Sequence, residues 1–278
     1  MTPRHRPATA IATLTPVIGL RLRPHPACRS GYSRDCSSTI AAIAAPAGGG
    51  DYHGGMTNPQ PFPEASGSLV LPGPAGALEV AVDLPDDDVA RLPVTAVVCH
   101  PLPTEGGTMH NKVVTMAARA LRELGVATVR FNFRGTGASE GAFDEGDGER
   151  EDLRAVAEWV RETRPADQLW LAGFSFGAYV SLAMAAELQP SLLVSIAPPA
   201  GRWDFDAITT PTMPWLVVQG ESDEIVDPQA VYAWLDTLKA EPELVRMPDT
   251  SHFFHRKLID LRGAIKHGVR PYLPGADG

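Results

Sequence analysis

The stretch Leu169-Trp170-Leu171-Ala172-Gly173-Phe174-Ser175-Phe176-Gly177 constrains this chain more than any other. It reads as a short apolar strand, a Gly-x-Ser-x-Gly turn and a helix opening at Ala178. The five-residue pattern alone is a weak signal. With a strand before it and an Ala-rich helix after it, the pattern marks Ser175 as a candidate nucleophile. On such a turn the serine is pushed out of the sheet on strained backbone, and Gly173 and Gly177 remove side chains that would collide with the neighbouring strand and helix. The turn also sets Ser175 at a helix N-terminus, where unpaired N–H groups and the helix dipole favour developing negative charge.

A serine hydroxyl is a poor nucleophile at neutral pH and needs a base, which in turn needs an orienting group. The chain after Ser175 alternates strand and helix: strands at Leu192–Ile196, Trp215–Val218 and Leu244–Met247, helices at Pro228–Leu238 and Phe254–Lys266. That alternation implies a parallel sheet wrapped by crossovers, with helices on both faces. Ligands of such sheets sit beyond the C-terminal ends of the strands, so the partners belong in the loops after later strands. The loop after Gly220 offers Glu221, Asp223, Glu224 and Asp227. Asp227 precedes Pro228 at a helix start, and an N-cap role explains it. Asp223 has no such local duty and is the candidate acid. His252 follows the last strand and is the candidate base, whereas His255 is expected to enter the helix. The resulting order is Ser, Asp, His.

The oxyanion of a tetrahedral intermediate needs two N–H donors. One is expected from Phe176, which follows the nucleophile. The other is expected from the loop after the strand Val94–Cys99, where Leu102 alone in Pro101-Leu102-Pro103 has an N–H.

Earlier in the chain, Leu69–Leu71 and Ala77–Leu84 read as a hairpin, with the ordered domain opening at Ser68. Met109–Leu124 and Glu149–Thr163 have helical spacing, and Val126–Phe131 reads as a strand. Arg134 is expected to tie the Gly-rich turn Asn132–Gly137 to a nearby carboxylate or carbonyl, with Lys112 in a similar role near a helix start. His110 reads as structural or as facing the cleft. Gly135-Thr136-Gly137 lacks the rest of a phosphate-loop pattern, so no nucleotide site is expected.

Residues 1–60 differ from the remainder. They are rich in Ala, Pro, Arg and Gly, with Asp35 and Asp51 the only acids. Such a composition cannot bury enough surface to offset ordering entropy. The segment reads as disordered, as a targeting peptide, or as an extension created by an early start codon, with Met56 the first residue. The last of these is preferred, because Pro16, Arg21 and Arg23 spoil the apolar run of a targeting peptide. Residues 61–278 then form a single domain.

The net charge of −9 does not suggest nucleic acid or an anionic membrane as partner. No apolar run approaches the ~20 residues of a membrane span, and a cytoplasmic location is expected. The three cysteines, Cys28, Cys36 and Cys99, are scattered and odd in number, which argues against a disulfide framework or a zinc site.

The arrangement resembles the α/β-hydrolase superfamily. It is most similar to the small bacterial serine hydrolases without a lid domain, described as predicted esterases or dienelactone-hydrolase-like proteins. The residues that carry the resemblance are His100-Pro101-Leu102-Pro103 with Gly106 to Lys112, Phe131 to Gly135, Gly173 to Gly177, Gly220-Glu221-Ser222-Asp223 and Ser251-His252. Relatives often have His-Pro-His-Pro in the first motif; here Leu102 stands in place of the second His and keeps the backbone donor. The resemblance implies an α/β-hydrolase fold with a mostly parallel sheet. It implies an acyl-serine mechanism on small or short-chain carboxylic esters, with neither metal nor organic cofactor. A homodimer is compatible with it. A true dienelactone hydrolase, which uses Cys, is disfavoured by Ser175. Larger relatives insert a helical lid between the strand at Leu192–Ile196 and the next. Here only the short piece Ala200–Met213 lies there, so an open cleft is expected, with Met109, Phe133, Trp203 and Phe205 as substrate-contacting residues or as ordinary loop packing. The rival activities are a serine peptidase or amide hydrolase on the same fold, and a non-catalytic binding protein that has kept the fold. An aminoacyl-amide panel separates the first, and failure to label with a fluorophosphonate probe would mark the second.

Overall fold

The central strands are mostly apolar and buried at nearly every position, so both faces of the sheet must be covered. A computed structural model describes residues 59–275. The readings made for residues 1–58 lie outside the described residues.

The elements are β1 (Gly67–Gly73), β2 (Gly76–Asp83), β3 (Val94–Cys99), α1 (Lys112–Arg122), β4 (Ala127–Phe131), α2 (Asp147–Thr163), β5 (Gln168–Phe174), α3 (Phe176–Leu188), β6 (Leu192–Ile196), β7 (Trp215–Gly220), α4 (Pro228–Thr237), β8 (Glu243–Met247) and α5 (Leu258–Val269). They build an eight-stranded sheet in the order β1-β2-β4-β3-β5-β6-β7-β8. The β1–β2 and β2–β4 pairs are antiparallel and all the others are parallel. The parallel part is what the alternating pattern predicts, and the whole is the α/β-hydrolase arrangement that the resemblance implies.

The period-two rule of a strand sorts the core into two halves. Val97, Val129, Leu171, Leu193 and Val217 face one way and pack with Leu153 and Val156 of α2, Val180 of α3 and Val231 of α4. Their chain neighbours Ala96, Val98, Trp170, Ala172 and Leu216 face the other way, onto Val113 and Ala117 of α1 and Leu261 and Ile265 of α5. β3 and β5 are in register from Val94↔Gln168 to Cys99↔Gly173, so the strand bearing the serine is braced along its whole length.

Three of the differences from the sequence reading have a clear local cause. α1 opens at Lys112 rather than Met109. Asn111 caps it by accepting the Val113 N–H at 2.8 Å, and the Met109 N–H is held by Asn132 Oδ1 at 2.8 Å. α5 opens at Leu258 rather than Phe254, because Phe254 (φ 53°) and Arg256 (φ 61°) adopt left-handed backbone that interrupts a right-handed helix. Packed structure begins ahead of Ser68. The Gln60 carbonyl accepts the Trp159 indole N–H at 2.6 Å, and Phe62 stacks on Trp159 at 5.2 Å with the guanidinium groups of Arg91 and Arg164 over its ring. Proline-rich sequence around Phe62 hid this anchor, whose partners lie far along the chain.

Candidate active site

Ser175 sits between β5 and α3 with φ 53° and ψ −120°, a strained conformation for a residue with a side chain. The turn is held by backbone contact. A Cβ on Gly173 would run into the Gly177 carbonyl, and a Cβ on Gly177 would meet the Cys99 carbonyl of β3. The Ser175 N–H is taken up by the Ile196 carbonyl at 2.8 Å, which ties the turn to the end of β6.

The loops after β7 and β8 reach the same end of the sheet. His252 Nε2 lies 3.0 Å from Ser175 Oγ, and His252 Nδ1 lies 2.8 Å from Asp223 Oδ2. With its Nδ1–H donated to the carboxylate, the imidazole presents Nε2 as acceptor for the hydroxyl proton. The Asp223 and His252 side chains are almost wholly removed from solvent. Burial pushes the Asp223 carboxyl toward protonation. The bond and charge of His252, together with the Val226 and Ile225 N–H groups on Oδ1 at 2.8 and 2.9 Å, outweigh that and hold it below its usual value. Asp227 caps α4 by accepting the Gln229 N–H at 2.9 Å, as expected. His255 is exposed and lies ahead of α5, not in it.

Leu102 and Phe176 both line the cleft beside Ser175, and neither N–H has an acceptor among the described residues. Leu102 is aimed by a motif residue whose role sequence reasoning missed. His100 is buried and donates from Nδ1 to the Pro101 carbonyl at 2.6 Å, while its Nε2 accepts the Phe133 N–H at 3.0 Å. Burial lowers its pKa to about 4, so it is a neutral clamp. Two further contacts were not anticipated, although Glu224 had been named among the acids of its loop. Glu224 Oε2 accepts the His252 N–H at 3.1 Å, and Gln219 reaches Asp223 from β7. The signal for both was adjacency: Glu224 follows Asp223, and Gln219 is the last residue but one of β7.

A cleft of about 520 Å³ opens over Ser175, walled by Leu102, Phe176, Pro199 and Trp203 and rimmed by charged Glu105 and Arg202. Of the four residues expected at its wall, Trp203 is there, packed on Phe176 at 4.9 Å and Tyr179 at 5.1 Å. Met109, Phe133 and Phe205 do not line it. Met109 is drawn inward by the Asn132 bond. Phe133 fills the space under His100 and Phe176, and Phe205 stacks edge-on to Trp234 at 4.7 Å. These three belong to the core. Ile225 and Phe253, close in the chain to Asp223 and His252, are instead the exposed apolar residues at the mouth.

Arg134 does tie its turn down. It grips Asp152 of α2 through Nε and Nη2 at 2.9–3.1 Å, and its own N–H meets the same carboxylate at 2.9 Å. Lys112 and His110 are exposed and lie outside the cleft lining. No helix among the described residues is long and apolar enough to cross a membrane.

Residues 77–211 match the family model of the X-Pro dipeptidyl-peptidases of the S15 family, which stops short of Asp223 and His252. A Xanthomonas campestris α/β serine hydrolase without a lid is 71% identical, with a TM-score of 0.76 over 78% of this chain and 99% of that one. An α/β serine hydrolase homologue from Coxiella burnetii is 45% identical, with a TM-score of 0.72 over 75% of this chain and 99% of that one. An uncharacterised Rickettsia prowazekii protein is 32% identical over 61% of this chain and 76% of its own length. With identity at this level along nearly the whole of both solved relatives, the chain belongs to the α/β serine hydrolases that lack a lid.

Proposed function

We propose that this protein hydrolyses small or short-chain carboxylic esters through an acyl-enzyme. In this reading Ser175 Oγ attacks the ester carbonyl while His252 Nε2 takes its proton. Asp223 fixes the imidazole tautomer and stabilises the imidazolium. The carbonyl oxygen, now carrying charge, is received by the Leu102 and Phe176 N–H groups. His252 returns the proton to the departing alkoxide, which leaves as the alcohol. Water then repeats the sequence on the acyl group and releases the acid.

The observation that carries the reading is the unbroken chain from Ser175 to His252 at 3.0 Å and on to Asp223 at 2.8 Å, at the floor of a cleft. The size of that cleft and the short β6–β7 connection favour small acyl groups over long lipids. A second reading, cleavage of amides or peptides, is favoured by the match to the X-Pro dipeptidyl-peptidase model. Turnover of p-nitrophenyl acetate against a panel of aminoacyl amides separates the two. Ser175→Ala is expected to lower ester turnover by about 10⁴-fold or more and to abolish fluorophosphonate labelling. Unchanged turnover would end both readings.

A further inference from the structure

Asp223 is held by four donors. Oδ1 accepts the Val226 and Ile225 N–H groups, and Oδ2 accepts the His252 imidazole and the Gln219 side-chain amide at 3.1 Å. A carboxylate offers about four lone-pair sites, so this one is saturated. Gln219 lies in β7 and is fully buried. Its Nε2 also donates to the Gly220 carbonyl at 3.1 Å. Turning the amide over would aim its oxygen at a carbonyl and a carboxylate together, so the two acceptors fix the NH₂ group on the Asp223 side. The cost lies at the other end. Gln219 Oε1 is buried without a hydrogen-bond partner among the described residues, so its desolvation is left uncompensated. An apolar side chain of the same size would avoid that cost, so stability alone does not account for a glutamine here.

We propose that Gln219 is a positioning residue for the reaction, acting through Asp223. Its amide occupies the carboxylate oxygen that also holds the imidazole. It thereby locks the carboxylate plane toward His252 and tempers how strongly Asp223 attracts the imidazolium. The proposal rests on the serine-hydrolase reading of Ser175. The charged residues that line the cleft with His252 are Glu224, bonded to the His252 N–H, and Glu105 and Arg202. All three stay constant in the variants below.

The test is the pH profile of kcat/KM on p-nitrophenyl acetate. Gln219→Met removes the donor and keeps the bulk. It is expected to lower kcat by about 10-fold with little change in KM. It is also expected to move the acid limb of the profile upward by about half a pH unit or more, because a carboxylate relieved of a competing donor holds the imidazolium more tightly. Gln219→Ala gives the same readout if methionine does not fit. Gln219→Glu is the conservative rescue. Two adjoining buried carboxyl groups share a proton, so the new side chain donates an O–H and the limb returns to its original position. In a Ser175→Ala background, the low-field proton resonance of the His252–Asp223 bond should move with Gln219→Met and stay put with Gln219→Glu. A folded Gln219→Met protein whose acid limb and resonance are both unmoved overturns the proposal, even though Ser175→Ala is inactive. If Ser175→Ala itself keeps turnover, the hydrolase reading fails and the proposal falls with it.

Discussion

His100 and Leu102 are coupled through a single peptide group. His100 Nδ1 holds the Pro101 carbonyl at 2.6 Å, and the N–H of that same peptide belongs to Leu102. In a trans peptide the two point in opposite directions. Gripping the oxygen from the core side therefore turns the N–H outward to the cleft. Gly107 completes the fit, because a Cβ there would strike the Pro101 carbonyl.

Removing the clamp should therefore cost rate more than binding. His100→Ala is expected to lower kcat for p-nitrophenyl acetate by about 10- to 100-fold, the order of a weakened oxyanion donor, with KM within a few-fold. Steady-state kinetics on the folded variant check this.

The same histidine predicts a pH dependence of stability. Its folded pKa is about 4, below the ordinary 6.5. Between those values the unfolded chain binds the proton and the folded chain does not, so stability rises with pH across the window and is lost as pH falls through it. The contribution is on the order of 3 kcal/mol over the full span. Urea unfolding of wild type and His100→Asn at pH 7 and pH 5 should give a smaller difference between the two pH values in the variant.

Arg134→Ala should be among the most damaging single changes away from Ser175, Asp223 and His252. Asp152 is fully buried and Arg134 is its cationic partner. Truncating the cation strands that charge, a loss of about 3–5 kcal/mol. A thermal melt would show it as a large drop in midpoint.

Phe133 and Trp203 should separate core from cleft. Phe133→Ala is expected to destabilise by about 3–5 kcal/mol, as a fully buried ring. Trp203→Ala is expected to act mainly on KM, by several-fold, and on the ranking of acyl chain lengths. Denaturation and ester-series kinetics on both variants check the contrast.

At the N-terminus, a chain beginning at Met56 keeps Gln60 and Phe62, whereas one beginning at Ser68 loses the Phe62–Trp159 stack. The shorter chain is expected to be less stable by roughly 2–4 kcal/mol. Paired urea titrations would reveal it.

The sheet and the three converging side chains were legible because each depends on local pattern: apolar runs, a glycine-framed turn, and acidic and histidine residues in loops just after strands. Asp227 could be set aside because Pro228 gave it a local job. The cleft wall was not legible in the same way. Met109, Phe133 and Phe205 are apolar residues near the right loops, and nothing local says whether such a side chain turns inward or outward. That choice is made by partners distant in sequence: Asn132 for Met109, Trp234 for Phe205. His100 was quoted as part of a motif, yet its task depends on the Phe133 N–H arriving from the turn after β4.

β8 closes the sheet at its far edge, pairs with β7 alone and is the least covered of the parallel strands. The loop that follows it delivers His252. Fraying of that one margin would withdraw the base while both halves of the core stayed intact. The proposed turnover is therefore expected to be lost on warming before helical circular dichroism is.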